Sequence, residues 1–187
     1  MKREALNTIS IYQPLRRFVI QRYVVALLGM GGVGKTTFAY RILGIPDTPV
    51  LTLRPSYYRI YLGDLEIDLI DVPGQRVFEV ALKFASFKMT VLDKAIYMYD
   101  VTSYETLYNL LELHSIFIDR GIQMAKEIVV VGNKMDLAAE TGFYIDAEEV
   151  ASAIGAKGVY YISATKDPPR KLLEIILGKA KAENHSF

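Results

Sequence analysis

The 187-residue chain has no cysteine and no tryptophan. Without a thiol there is no disulfide framework, no thiolate metal site, and nothing to prenylate or palmitoylate. Histidine is nearly missing too. His114 lies in a leucine-rich segment and reads as structural, and His185 lies in a polar stretch and reads as solvated, so no zinc cluster is expected. Position 2 is Lys2, so the N-myristoylation pattern is lacking. The start also lacks the apolar core and small-residue cleavage site of a secretory signal, and no apolar run is long enough to cross a bilayer. Charge of one sign is absent as well: 22 Lys and Arg face 21 Asp and Glu, a formal net charge of +1. No broad positive field for nucleic acid follows from that balance. The 13 tyrosines are scattered, and packing accounts for them better than base stacking does. What is present is 51% hydrophobic and 23% charged residues, a globular composition with room for one core. A cytoplasmic protein is the expectation.

The chain is organised around Gly29-Met30-Gly31-Gly32-Val33-Gly34-Lys35-Thr36. An apolar run, Tyr23 to Leu28, precedes it with strand character, and Thr37 to Leu43 reads as a helix. Strand, glycine-rich loop and helix give the pattern G-x-x-x-x-G-K-[ST] its meaning as a phosphate-binding loop. Bare glycine backbone lets N–H groups curl around phosphate oxygens, and the helix N-terminus adds partial positive charge. Lys35 supplies a full charge to the terminal phosphates, and the Thr36 hydroxyl is a ligand for Mg²⁺. A plain strand-to-helix turn would need a glycine or two, but not Lys and Thr at the two fixed positions that follow.

Residues 1–22 differ from the rest: Lys2, Arg3, Arg16, Arg17 and Arg22 stand against Glu4 alone, interleaved with Leu6, Ile9, Leu15, Phe18 and Val19. Pro14 breaks any single helix there. This basic N-terminal extension has two readings, a peripheral contact with an anionic membrane or an extension folded back on its own domain. The second is preferred, since one broken helix without a lipid binds membranes weakly. A domain over 23–183 and a short tail over 184–187 complete the division. Strands are expected at 57–62 and 65–70, joined by Gly63-Asp64 as a hairpin, then at 95–99, 127–131 and 159–162. Helices are expected over 76–88, 104–118, 146–154 and 169–181. In the second of these, Leu107, Leu110, Leu111 and Ile118 share one side; the third would be capped by Asp146. The alternation predicts an α/β fold: a doubly wound, mostly parallel six-stranded sheet with one antiparallel strand and helices on both faces. Ligands in such a sheet sit beyond the carboxyl ends of the strands.

Three of those strand ends carry further chemistry. Asp71-Val72-Pro73-Gly74-Gln75 places an acid where it can hold Mg²⁺, a glycine that lets the backbone approach a terminal phosphate, and Gln75 to position a water. In Asn133-Lys134-Met135-Asp136, the Asp136 carboxylate can accept from the ring N–H and exocyclic amine of guanine. Adenine offers no such pair. The Lys134 stem can lie over the purine face with its charge in solvent, and Asn133 can tie this loop to the phosphate loop. In Ser163-Ala164-Thr165, the Ala164 N–H can donate to the guanine carbonyl oxygen.

Taken in order, these four boxes resemble those of the Ras-like small GTPases, the P-loop GTPase superfamily, over about residues 22–183. The resemblance implies GTP and GDP binding with Mg²⁺, slow GTP hydrolysis, and two loops that change shape with the γ-phosphate. Carried over by position, Gly29, Gly31, Gly32, Val33, Gly34, Lys35, Thr36 and Thr37 surround the phosphates, with Gly31 nearest the γ-phosphate. Asp71 supports the metal, Gly74 senses the γ-phosphate and Gln75 orients the attacking water. Asn133, Lys134, Asp136, Ser163, Ala164 and Thr165 surround the base. The first switch loop would supply a metal-closing threonine, either Thr52 or Thr48, with Thr52 the better fit by its distance to Asp71. Thr165 stands where many relatives carry Lys, and no aromatic residue stands beside the base. Arg54 follows Thr52 and reads as a surface charge. The Thr-Thr after Lys35 is similar to Arf-like proteins, and the Leu62–Leu65 hairpin with Pro73 is similar to Rag-like ones. Partners implied are a GTPase-activating protein, an exchange factor and effectors at the switch loops. A nucleotide-locked scaffold with little hydrolysis is the alternative, which Gln75 disfavours.

Overall fold

The first strand, β1 (Gln21–Leu28), lies in the middle of the sheet and turns directly into the glycine loop. The computed structural model describes residues 21–49, 54–79 and 92–178. β1 begins two residues before the apolar run: its ladder starts at Gln21, whose N–H donates to the Asp64 carbonyl at 2.9 Å, and Arg22 pairs with Asp68. After the loop comes α1 (Lys35–Leu43), which ends where Gly44 turns left-handed and donates its N–H to the Tyr40 carbonyl.

β2 (Ser56–Leu62) and β3 (Leu65–Asp71) form the expected antiparallel hairpin through Gly63-Asp64. β4 (Leu92–Asp100), β5 (Ala125–Asn133) and β6 (Val159–Tyr161) follow in parallel, giving the order β2-β3-β1-β4-β5-β6. Strands are added on one side of β1 first and on the other side afterwards. The order therefore reverses about β1, and that reversal opens a crevice at its carboxyl end. The α/β sheet is the one the alternation predicts: six strands, all parallel except β2.

α2 (Tyr104–Ile118) and α4 (Glu148–Ile154) pack on one face, with Leu107, Leu110, Leu113 and Phe117 turned inward toward Tyr97, Tyr99 and Val130. Ile118 is 62% exposed and does not join them. The buried stripe runs 107, 110, 113, 117, and Ile118, in the last turn of the helix, is left outside it. α1 and α5 (Pro169–Leu177) cover the other face, where Phe38, Leu172, Ile175 and Ile176 meet Val25, Leu27 and Ile67.

α4 starts at Glu148, two residues later than Asp146 suggests; the Asp146 carboxylate still accepts the Glu148 N–H at 2.8 Å. α5 stops at Leu177 and not at Lys181, because Gly178 leaves helical geometry at φ 80° and ψ 151°. A seven-residue helix, α3 (Met135–Thr141), follows Lys134 in a stretch where no helix is expected from the sequence. Of the helix expected over 76–88, the described part is a 3₁₀ turn at Gly74–Arg76 leading into a helical turn at 77–79, and the remainder lies outside the described residues. The basic segment up to residue 20 and the tail from 179 lie outside them too.

Candidate functional site

Four loops meet at the carboxyl end of the sheet, in the crevice beside β1. The glycine loop is shaped by close approaches that forbid side chains. Gly34 is left-handed at φ 96°, and a Cβ there would run into the Asn133 amide nitrogen. Gly74, on the loop after β3, lies so close to the Met30–Gly31 peptide that a Cβ would overlap its carbonyl and nitrogen.

Lys35 is buried to 6% exposure, and its ammonium donates to the Gly29 carbonyl at 2.9 Å and the Met30 carbonyl at 2.7 Å. Burial lowers its pKa to about 8, against a partial upward pull from Asp71. The Thr36 hydroxyl donates to Asp71 Oδ2 at 2.6 Å. The other oxygen, Asp71 Oδ1, is buried and has no hydrogen-bond partner among the described residues. Burial pushes the Asp71 carboxyl above the usual range, opposed by the Thr36 hydroxyl and by Lys35. A buried carboxylate oxygen with no partner, next to a hydroxyl, is a costly arrangement unless a cation or water completes it. Carboxylate and hydroxyl oxygens are the donors Mg²⁺ takes. The residues present therefore fit the metal.

Gly31, Gly32, Gly34, Lys35, Thr36, Thr37, Asp71 and Gly74 surround one cleft of about 330 Å³. A second cleft of about 280 Å³ is walled by Asn133, Lys134, Asp136, Leu137, Ala164 and Thr165, and it shares Gly32, Gly34 and Thr37 with the first. The two halves are bonded together. Asn133 Nδ2 donates to the Val33 carbonyl at 2.8 Å, and Asn133 Oδ1 accepts the Ala164 N–H at 2.8 Å. Asp136 is oriented by Ser163, whose hydroxyl donates to Oδ1 at 2.7 Å, with the Thr165 hydroxyl 3.4 Å from Oδ2. Lys134 is left-handed at φ 73°, the one non-glycine residue with positive φ among those described, and it sits at the N-cap of α3.

A family model described as "50S ribosome-binding GTPase" matches residues 24–134, well over half of the chain. The chain belongs to this P-loop GTPase family. No curated protein matches the sequence. Membership carries the binding of guanine nucleotide with it; the fold and the ordered boxes agree with that.

In this GTPase, Gln75 is exposed and does not itself line the first cleft, but its Cγ would lie 3.6 Å from a Cβ on Gly31, which does. Thr52, the preferred switch threonine, lies outside the described residues. Thr48 is exposed, and it is Pro49 beside it that lines the first cleft. Arg54 is exposed. His114 is half-buried against the Tyr97 hydroxyl at 3.4 Å, remote from both clefts.

Three residues that the sequence does not single out, Asp167, Arg41 and Asp100, support the second cleft. Asp167 accepts the Ser163 N–H at 2.9 Å on its carboxylate, and its carbonyl accepts from Arg41 Nε at 2.9 Å, so α1 and the Ser163–Thr165 loop are tied together. Asp100, at the end of β4, faces Asn133 in register and pairs with Lys134 at 2.6 Å. Asp-x-Thr after a strand reads as a turn signal in sequence, and nothing local indicates its reach to the neighbouring strand.

Proposed function

We propose that this GTPase is a molecular switch that binds GTP and GDP with Mg²⁺ and slowly hydrolyses GTP to GDP and phosphate. The observation that carries the reading is the junction of the two clefts. Amide donors and a buried lysine line one end, an oriented carboxylate lines the other, and Gly32, Gly34 and Thr37 are common to both. A polyanion joined to a purine fits that shape.

Thr36 and Asp71 would hold the metal, with the closing threonine drawn from the first switch loop, where Thr52 is the candidate. When bound, Mg²⁺ would neutralise charge on the β- and γ-phosphate oxygens. Lys35 exchanges its two carbonyl acceptors for phosphate oxygens, and the loop amides at Gly31 to Thr36 donate to the rest. Gln75 orients a water in line with the γ-phosphorus. The water oxygen bonds to phosphorus as the bond to the β-phosphate oxygen breaks. That electron pair leaves on GDP, and the water protons go to phosphate and solvent. The Gly31 and Gly74 backbones stand where the equatorial oxygens gather charge. Gln75 alone positions without supplying charge, so turnover is slow until an activating protein contributes an arginine.

At the base, Asp136 accepts from the two guanine donors, Ala164 N–H donates to its carbonyl oxygen, and the Lys134 stem covers one ring face. Thr165, in place of lysine, leaves the Ala164 contact intact. An exchange factor and effectors at the switch loops are the proposed partners. Nucleic acid is not among them, given a net charge of +1. The cytoplasm is the proposed setting, with membrane contact through residues 1–22 disfavoured.

Single-turnover hydrolysis tests the proposal. GTP cleavage by the wild type above the uncatalysed rate, slowed in Gln75→Leu, supports it. Rates equal to the uncatalysed one in both proteins would instead make the nucleotide a structural ligand of a scaffold.

A further inference from the structure

Asp100 has no part in the nucleotide boxes, yet its carboxylate is fully engaged beside one of them. Oδ2 pairs with the Lys134 ammonium at 2.6 Å, and Oδ1 accepts the Thr102 N–H at 3.0 Å and the Thr102 hydroxyl at 2.7 Å. Its backbone is fixed as well: its N–H donates to Thr106 Oγ1 at 3.0 Å, and its carbonyl accepts the Ser103 N–H at 2.9 Å. The carboxylate is therefore held from the β4 side before it meets lysine. Lys134 is one of the residues that line the base cleft, whereas Asp100 is not among them. The lysine stem thus runs along the wall, with its charged end anchored behind.

We infer that Asp100 is a positioning residue for guanine-nucleotide binding: it anchors Lys134 so that the four-carbon stem forms a fixed, flat wall for the purine. This rests on the guanine-nucleotide reading above. The physical case is one of entropy and geometry. A free lysine loses a large rotamer entropy when it lies down on a ring, and a tethered one has lost it already. Asn133, the residue before Lys134, is paired in register with Asp100, which puts the carboxylate within 2.6 Å of the Lys134 ammonium. Burial raises the proton affinity of Asp100, but the Lys134 ammonium and the Thr102 donors outweigh it and keep the group below the usual carboxylate range, ionised at neutral pH.

The test is a double-mutant cycle on release of methylanthraniloyl-GDP from the full chain. Asp100→Asn removes the charge but keeps an oxygen for Thr102. Lys134→Met removes the ammonium but keeps an apolar stem. Asp100→Asn is expected to speed release about tenfold, equivalent to about 1.4 kcal/mol, and to leave release unchanged when added to Lys134→Met. Asp100→Glu, which retains the charge, is expected to recover most of the wild-type rate. A purely structural role would instead speed release equally in both backgrounds and lower the melting temperature of the nucleotide-free protein by the same amount in each. Independent effects, or a wild-type rate in Asp100→Asn, would overturn the inference while leaving guanine binding in place. A wild type that retains no labelled GDP would overturn the nucleotide reading itself, so the two failures are distinct.

Discussion

Asn133 donates its amide N–H to the Val33 carbonyl at 2.8 Å across 100 residues of sequence. With its other end it accepts the Ala164 N–H, so one buried side chain joins three loops. Asn133→Ala would leave the Val33 carbonyl and the Ala164 amide without partners, each worth about 1–3 kcal/mol when buried. GDP release should accelerate about 10- to 100-fold for each such bond that matters to the bound state. Stopped-flow release of labelled GDP measures it; an unchanged rate would mean that the loops hold their places without this residue.

Lys35 makes nucleotide binding depend on pH. In the nucleotide-free fold its pKa is about 8, against 10.5 ordinarily. Between those values the unfolded chain binds the extra proton, so this group makes the nucleotide-free fold more stable as pH rises from about 8 to about 10.5. Below that window the buried charge is a constant cost. Bound phosphates favour the charged form, so binding takes up a proton in the same window. Titration calorimetry in two buffers of different ionisation enthalpy should give different heats at about pH 9, where the terminal phosphate is already fully ionised. Matching heats there would refute the role of Lys35.

Asp71→Asn separates charge from shape. An amide oxygen would still accept from the Thr36 hydroxyl, which now bonds at 2.6 Å. The carboxylate oxygen that has no hydrogen-bond partner among the described residues would be gone. Burial already disfavours the ionised carboxyl there, so the nucleotide-free variant should melt no lower than the wild type. Its GDP affinity should become nearly indifferent to Mg²⁺ or a chelator. Retained dependence on Mg²⁺ would exclude Asp71 as a metal ligand or support.

Asp136→Asn should move base preference from guanine toward xanthine. The amide offers a donor where the carboxylate offered only acceptors, and xanthine carries a carbonyl where guanine carries an amine. Ser163, 2.7 Å from Oδ1, would still orient the group. Competition between GDP and XDP for the labelled site is the measurement. Guanine still preferred would mean that Asp136 does not read the base.

Much of this was legible in the chain itself because its signals are local. Gly29–Thr36 announces its loop by spacing, Gly63-Asp64 announces the hairpin, and α2 begins and ends at Tyr104 and Ile118 as its apolar spacing predicts. What was hidden depends on tertiary reach. Asp100 and Asp167 look like turn residues until the neighbouring strand and loop are in place. α3 has seven residues, too few for periodicity to distinguish from a loop. Ile118 is apolar and helical, yet lies on the outer side, which only the position of the sheet decides.

The strand order also has a consequence for how the molecule is made. β1 emerges first, but its lateral partners are β3 and β4, and the glycine loop is braced by Asn133 and, through it, Ala164. A growing polypeptide therefore exposes the apolar β1 without both of its parallel neighbours until Asp100 has been made, and leaves the glycine loop unbraced until Ala164 follows. A chain truncated before residue 164, lacking the Ala164 N–H that Asn133 accepts, should bind nucleotide far more weakly than the full chain.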